Sequence, residues 1–360
     1  MVQSPSWANS LYCRIWIFNV GRGLCAFIRT PLNQGLMVDC GSSDDFSPAE
    51  FCRGYILPHL DKYKNHSLAQ LIISHPHTDH FSDVSNVFAD RSPSLDPQLL
   101  TCPHDKPEAA EEERFDFTRL QIPDNDELAK ALIQEYREAY KSRHLPLQTI
   151  LFDSPRTVPN LEYGIYYLQP ATCAKLYPDD DLKYINATSI ILFLRYGSNS
   201  ILFPGDIPPE ALEALLDEKQ GSEKRYTKFD RKFSTSSDWH AITADQPSLK
   251  SVLGSYGLSI LVAPHHGLES CYSPYLFECM KNGKPGLVVI SEKRHRTLQD
   301  GNIDSRYQSE GGATGLYVEI DSTTEHRLSV STRNDHHILI EFVETGRPRV
   351  YTSTDPTRLV

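Results

Sequence analysis

The chain has 360 residues, 39% hydrophobic and 23% charged, which are the proportions of an ordinary soluble globular protein and exclude disordered and fibrous classes. Its formal net charge of −11 argues against binding nucleic acid through bulk electrostatics, because such proteins carry a basic excess, while a local basic rim stays compatible with it. Length alone admits one large domain with insertions or two modest ones.

No stretch approaches the roughly 18 apolar residues of a membrane span. Arg14, Asn19 and Arg22 break up the apolar run from Leu11 to Ile28, so no secretory leader is read there and no membrane insertion is expected. The eight cysteines show no CxxC spacing and read as mostly reduced core residues of a cytoplasmic protein.

In chain order, the β-rich segments Tyr12–Phe18 and Leu24–Arg29 flank Gly21-Arg22-Gly23 and predict a hairpin. The same residues spell Gly-x-Gly-x-x-Ala, but a strand follows Gly23 where phosphate binding needs a helix N-terminus, so no dinucleotide site is predicted. Gly35–Asp39 reads as a third strand and Pro48–Leu60 as a helix. Leu68–Ser74 carries the continuous run Leu71-Ile72-Ile73, as expected of a strand buried on both faces. At its end stands Ser74-His75-Pro76-His77-Thr78-Asp79-His80. Three imidazoles and a carboxylate this close together suit a borderline cation such as zinc, which favours imidazole nitrogen and accepts a harder oxygen. Asp79 falls near the start of a helix predicted over Asp79–Phe88.

Beyond this cluster, Gln98–Thr101 reads as a strand, and residues 105–147 as an acidic, helix-forming insertion with a solvated face. Strand character returns at Thr149–Phe152 and Tyr163–Leu168. Ser189–Tyr196 and Ser200–Phe203 predict a hairpin around Gly197-Ser198-Asn199, and its second strand runs into Pro204-Gly205-Asp206. Glu210–Leu216 has helical spacing, and residues 219–247 are polar and irregular, a second insertion. Ser259–Ala263 reads as a buried strand ending in Pro264-His265-His266-Gly267. Gly286–Ser291 is a further strand leading into the basic loop Glu292–Arg296, and Leu316 to Val343 reads as three more. Asp39, His75–His80, Asp206 and His265–His266 therefore each follow the C-terminal end of an apolar strand, positions that converge on one rim of layered sheets.

The pattern HxHxDH followed by a later Asp and a later His resembles the metallo-β-lactamase-fold hydrolases. Within them it is most similar to the hydrolase domain of ComEC-type DNA-uptake proteins and its free-standing relatives. The residues that carry this are Phe18–Gly23, Val38-Asp39-Cys40-Gly41, the His75–His80 cluster, Asn186-Ala187-Thr188-Ser189, Pro204-Gly205-Asp206 and Pro264-His265-His266-Gly267. The resemblance implies an α/β fold, a four-layer αββα sandwich, as one domain over residues 1–360 with the two insertions named above. It implies that His75 and His77 bind a first metal, Asp79 and His80 a second, that Asp206 bridges them and that His265 completes the second. Asp39 would stand behind the ligands and orient them. One departure is that Asn186 aligns where many members supply another His; an amide oxygen is a weaker zinc ligand, so the first site is expected to be weak or to take a harder ion. Zn2+, one or two per chain, is the expected cofactor, with Mn2+ as the alternative.

The function expected from this likeness is hydrolysis of phosphodiesters, nucleic acid or small nucleotide, by hydroxide held between two cations and oriented by Asp79 and Asp206. His266 is expected to contact substrate or protonate the leaving oxygen. Lys293, Arg294 and Arg296 form a basic knot suited to phosphate, with Asn186 and Tyr307 as further substrate contacts. The same centre also serves thioesters, lactones and β-lactam amides, and a third reading is a non-catalytic binding or regulatory module. A basic groove beside His265 would favour phosphodiesters and an apolar pocket a small neutral ester.

Overall fold

The computed structural model describes residues 12–31, 33–60, 68–95, 97–101, 103, 161–168, 170–217, 226–227, 248–292, 301–321 and 323–360. The insertion expected over 105–147, the strand expected at Thr149–Phe152, most of 219–247 and the basic knot at Lys293, Arg294 and Arg296 lie outside them.

Two sheets form the centre. Among the described residues the first has nine strands and the second seven. In the first, β1 (Cys13–Ile17), β2 (Ala26–Arg29) and β3 (Gly35–Val38) pair antiparallel, then β4 (Leu68–Ile72) and β5 (Pro97–Thr101) continue parallel. The second holds β6 (Leu161–Tyr166), β7 (Ile191–Tyr196), β8 (Asn199–Phe203), the short β9 (Tyr226–Thr227), β10 (Ile260–Val262) and β11 (Leu287–Ile290). There β8, β10 and β11 run parallel to one another. The first sheet is ordered β13 (Thr323–Arg327), β12 (Leu316–Ile320), β16 (Arg349–Ser353), β15 (His337–Phe342), then β1 to β5, and the second β14 (Ser329–Ser331), then β11, β10, β8, β7, β6 and β9.

Strand periodicity explains how the sheets stack. Ile15, Ile17, Ile28, Leu36 and Val38 share one buried cluster with Leu192, Leu194, Ile201, Phe203, Ile260 and Val289, the interdigitated layer between the two sheets. The alternate residues Trp16, Phe27 and Met37 face the other way, and belong to a cluster with Ala49, Phe51 and Ile56 from the helical segment that begins with α1 (Pro48–Phe51). The outward residues Phe193, Leu202 and Leu261 join the apolar faces of two helices, Pro209–Asp217 (α6) and Leu249–Tyr256 (α7). Helix, sheet, sheet, helix is the four-layer α/β sandwich expected from the sequence.

Local chemistry sets the helix ends. Ser47 caps α1 by accepting the Glu50 N–H at 3.2 Å with Pro48 behind it, and Ser248 caps α7 by accepting the Ser251 N–H at 3.0 Å. The expected helix over Pro48–Leu60 is α-helical only to Phe51 and continues as a wider turn, Cys52–Ile56, and a tighter one, Leu57–His59. The expected helix over Asp79–Phe88 divides into α2 (Thr78–Phe81) and α3 (Val84–Val87). Asp83 causes the break: its N–H donates to the Cys40 carbonyl at 2.8 Å instead of continuing the helix, and its carboxylate accepts from Ser47 Oγ and the Ala49 N–H.

No element is predicted from the sequence over the helices α4 (Pro170–Leu176) and α5 (Asp181–Ala187), and Asn186 falls in the last turn of α5. At the end of the chain the three expected strands are four: β12 (Leu316–Ile320), β13 (Thr323–Arg327), β14 (Ser329–Ser331) and β15 (His337–Phe342). Helix α9 (Thr332–Asp335) separates the last two, α8 (Pro274–Glu278) precedes β11, and β16 (Arg349–Ser353) follows. The chain crosses to the second sheet for β14 alone, alongside β11, then returns.

Across β1 and β15, Arg14 stands opposite Glu341, and its Nε donates to Glu341 Oε1 at 2.8 Å with both side chains almost fully buried. Replacing one partner leaves a buried charge uncompensated. Glu341→Gln is expected to lower unfolding free energy by about 3–5 kcal/mol, and the double variant Arg14→Met/Glu341→Leu to recover most of that loss. Urea denaturation of the three proteins checks it.

Candidate metal centre

The site assembles where parallel strands end. Asp39 follows β3, Ser74–His80 follows β4, Asp206 follows β8, and His265 and His266 follow β10. Backbone hydrogen bonds hold these ends together: Asp39 N–H to the Ile72 carbonyl at 2.7 Å, Ile190 N–H to the Ser74 carbonyl at 2.8 Å, and His265 N–H to the Gly205 carbonyl at 3.1 Å. The Ile190 bond joins the rims of the two sheets.

Asp39 lies deepest. Its Oδ1 accepts the Ser74 N–H at 2.6 Å, and its Oδ2 accepts Ser74 Oγ at 2.9 Å and lies 2.8 Å from His80 Nδ1. A proton on Nδ1 directed at Asp39 leaves His80 Nε2 facing Asp206 Oδ1 at 3.3 Å. Ser74 Oγ also lies 3.0 Å from His75 Nδ1. His75 Nε2 is 3.1 Å from His77 Nδ1 and 3.7 Å from Asp206 Oδ2.

Opposite, His265 (φ 46°), His266 (φ 59°) and Gly267 (φ 77°) are three successive residues in left-handed backbone. That conformation costs roughly 1–2 kcal/mol for each residue other than glycine. It swings both imidazoles toward one carboxylate: His265 Nε2 and His266 Nε2 each lie 3.5 Å from Asp206 Oδ2. His266 Nε2 is also 3.6 Å from Asp79 Oδ2. Asp206 is thus ringed by His75, His80, His265 and His266.

Two ligand-type groups result, His75 with His77 and Asp206, and Asp79 with His80 and His266, each offering atoms within 4.8 Å of one another. The expectation that His265 stands with Asp79 and His80 differs from this geometry, because the left-handed turn gives that place to His266. His265 lies at the opening, its side chain 18% exposed, with Nδ1 3.1 Å from Cys271 Sγ. The buried His77 Nε2 has no hydrogen-bond partner, and the buried His80 Nε2 and His266 Nε2 face only carboxylates, Asp206 at 3.3 Å for His80, and Asp206 and Asp79 at 3.5 and 3.6 Å for His266. Imidazole nitrogens gathered around two carboxylates fit divalent cations.

The electrostatics agree. Burial alone raises the Asp206 carboxyl, but His80, His266, His265 and His75 hold it well below the ordinary range. Burial also resists charge on His80 and His266; Asp206 with Asp39 outweighs it at His80, which stays charged well above the usual histidine range, and Asp206 with Asp79 raises His266 to about 9. Burial, joined by the charge on His80, lowers His75, and burial lowers His77 and His265. The protons on His80 and His266 occupy positions that a cation would take.

Other expected residues fall differently. Asn186 is buried with Oδ1 unpartnered, and its carbonyl accepts the N–H of Ser189, whose Oγ accepts the Asp206 N–H at 3.2 Å. Tyr307, expected as a substrate contact, is fully buried with its ring against Tyr272 and Phe277, so it packs behind the His265–Gly267 turn. Lys293, Arg294 and Arg296 are outside the described residues. Residues the sequence reading missed are Ser74, Cys271 and Arg22, whose Nε is 3.6 Å from Asp79 Oδ2. Ser74 and Arg22 were visible as the residue leading the histidine cluster and the cation between two glycines; Cys271 had no such signal.

Residues 18–147 match the family described as the metallo-beta-lactamase superfamily. The two-sheet sandwich described above is the metallo-beta-lactamase fold, and the superfamily's members are metal-dependent hydrolases. Among solved structures, it is similar to isothiocyanate hydrolase from Delia radicum gut bacteria, at 13% identity and TM-score 0.31, covering 77% of this chain and 85% of that one. It is also similar to unliganded yeast PDE1, at 14% identity and TM-score 0.34, covering 80% and 90%. No curated protein matches the sequence.

Two outcomes follow for the centre. Asp39→Asn keeps the shape but weakens the acceptor behind His80, and is expected to lower metal affinity about 10–100-fold, read by competition with a chromophoric chelator. For His266, the raised folded value of about 9 means that in the metal-free protein its stabilisation is complete below the unfolded value near 6.5 and is lost as pH rises through 9. Denaturation midpoints of metal-stripped protein are expected to fall over that window, and those of His266→Gln to fall less.

Proposed function

We propose that this protein is a metal-dependent hydrolase of phosphodiesters, with nucleic acid or a small nucleotide as substrate. The observation that carries it is the pair of His/Asp groups that meet around Asp206, each with the donors for a divalent cation. Near the turn that bears His266 lies a cleft of about 770 Å³. Glu269, Glu292, Asn302, Asp304, Arg306 and Arg333 are among the residues that line it. Asp304, from its lining, is tied to that turn by its N–H to the Gly267 carbonyl at 3.0 Å, and within the lining the Glu269 N–H donates to the Asn302 carbonyl at 2.8 Å. Polar walls suit a ligand rich in hydrogen-bonding atoms better than a small neutral ester. Three carboxylates against two arginines, paired as Arg306 with Asp304 and Arg333 with Glu292, are not a basic groove, so the choice of a phosphodiester rests on the resemblance set out from the sequence.

In this reading His75, His77 and Asp206 hold one ion and Asp79, His80 and His266 a second, Zn2+ first and Mn2+ as the alternative. Bound divalent cations supply Lewis acidity and ready deprotonation of water near neutral pH. Asp79 and Asp206 orient the attacking water through their free oxygen lone pairs. Asp39 and Ser74 keep the His80 and His75 rings at fixed angles. His265, at the opening, contacts the leaving oxygen, and the unpartnered Asn186 Oδ1 is a further acceptor for the first ion or for substrate. Lys293, Arg294 and Arg296 remain the expected phosphate contacts. The proposal also keeps the likeness to the ComEC-type hydrolase domain, residues 1–360 as one domain, and a cytoplasmic setting. Among the described residues, no helix is long and apolar enough to cross a membrane.

The test is a metal-resolved screen. Protein is stripped, reloaded with zinc or manganese, and offered DNA, RNA, small phosphodiesters, thioesters and lactones in parallel. Phosphodiester cleavage is expected, with His266→Ala and Asp79→Asn lowering kcat/KM by at least about 100-fold and His265→Ala by less. Turnover confined to thioesters or lactones, or a fully active Asp79→Asn protein, would sink the proposal.

A further inference from the structure

Gly21-Arg22-Gly23 spells part of a dinucleotide motif but turns between β1 and β2. Its last glycine meets the short helix that carries Asp79 and His80. Gly23 has φ 107°, and a Cβ there would sit 1.9 Å from the Asp79 carbonyl oxygen. From the other side Gly41, just beyond β3, closes on the same oxygen, where a Cβ would come within 2.2 Å. Each glycine thus aims at that oxygen the Cα hydrogen that a side chain would replace, a weak Cα–H···O contact. Two residues without a Cβ make the approach possible.

The helix depends on this seat because its own hydrogen bonding is interrupted. In a continuing helix the Asp83 N–H would donate to the Asp79 carbonyl, four residues back; here it donates to the Cys40 carbonyl at 2.8 Å. The residues around Gly41 take hold of α2 instead. Cys40 N–H donates to the His80 carbonyl at 2.8 Å, and Ser42 N–H to Ser82 Oγ at 2.7 Å. The two glycine segments are also tied to one another, as the Gly41 N–H donates to the Leu24 carbonyl at 2.9 Å, and Ser291 Oγ donates to the Gly23 carbonyl. With four residues, α2 has little helical bonding of its own to fix its place.

One ligand group of the centre draws on this helix and the other does not. Asp79 and His80 stand with His266, whereas His75 and His77 stand with Asp206. The three atoms nearest each missing Cβ belong to Asp79 and Leu24, none to His75, His77 or Asp206. Contacts under 3.0 Å force a shift, and a ligand constellation tolerates only about 0.5 Å. A methyl in the notch therefore disturbs one half of the centre.

We infer that Gly23 and Gly41 are positioning residues of the second ligand group, forming a notch for the Asp79 carbonyl that sets where Asp79 and His80 stand. The inference rests on the two-ion part of the function proposed above and not on the phosphodiester.

Gly41 lies outside left-handed backbone, so Gly41→Ala adds a methyl without conformational strain at its own φ. The variant is placed in two backgrounds, His77→Ala, which leaves the second group intact, and Asp79→Ala/His80→Ala, which leaves the first. Zinc affinity is read by competition with a chromophoric chelator. Gly41→Ala is expected to weaken zinc about 10–100-fold in the His77→Ala background and by no more than about twofold in the other. A general loss of packing would weaken both alike. The inference is overturned by equal losses in the two backgrounds, by no loss in the first, or by either background failing to bind zinc. Should Gly41→Ala show no cooperative thermal transition, Ser291→Ala takes its place, since it adds no atom and removes the donor to the Gly23 carbonyl. A loss of about 2–10-fold in the His77→Ala background then upholds the inference, and no loss overturns it. Selective weakening in a protein whose wild type cleaves no phosphodiester would uphold the inference and reject the phosphodiester reading.

Discussion

Three donors converge on the buried carboxylate of Asp39: the Ser74 N–H, Ser74 Oγ and the His80 ring. A buried carboxylate without such partners is costly, so the ends of β3 and β4 can hold this arrangement only in one register. The bonds align the start of the histidine cluster, set which nitrogen of His80 faces inward, and through Ser74 Oγ reach His75 as well. Asp39 itself adopts φ 55°, a conformation that a short polar side chain tolerates better than most. The metal-ligand geometry is therefore a consequence of how two parallel strands finish.

Asp206 is the complementary element from the second sheet. It brings one carboxylate into reach of imidazoles from two chain segments far apart in sequence, and its own N–H is held by Ser189. The strain at His265 and His266 is maintained by backbone bonds on either side, from the His265 N–H to Gly205 and from Leu268 back to the His265 carbonyl. Strain of this sort persists where the surrounding structure over-determines it, and here it lets two consecutive side chains approach one carboxylate. An extended backbone would send them to opposite faces.

Much of the architecture was legible because strands announce themselves by apolar runs bounded by turn residues. β1 to β4, the β7–β8 hairpin around Gly197-Ser198, β10 and β11 all lie where those runs predict. Interruptions imposed from a distance were not legible. Nothing local in Asp79–Phe88 reveals that Asp83 donates to Cys40 and breaks the helix, and nothing in Ser329–Ser331 reveals that this strand leaves one sheet for the other. Tyr307, expected as a substrate contact, is buried against Tyr272 and Phe277, which arrive from elsewhere in the chain and leave no local signal.

The sequence by itself determined the chemistry that is available and the strand ends that carry it. Asp39, the His75–His80 cluster, Asp206 and the His265-His266 pair each follow an apolar run, and residue type and periodicity are local properties that a linear reading captures. Only the tertiary structure decided which groups meet. That His266 rather than His265 stands with Asp79 and His80 depends on three successive positive φ angles, and that Arg22 overhangs Asp79 depends on Gly23 packing against a backbone more than fifty residues away. Both are matters of direction and distance between segments, set by long-range backbone contacts that composition and spacing do not encode.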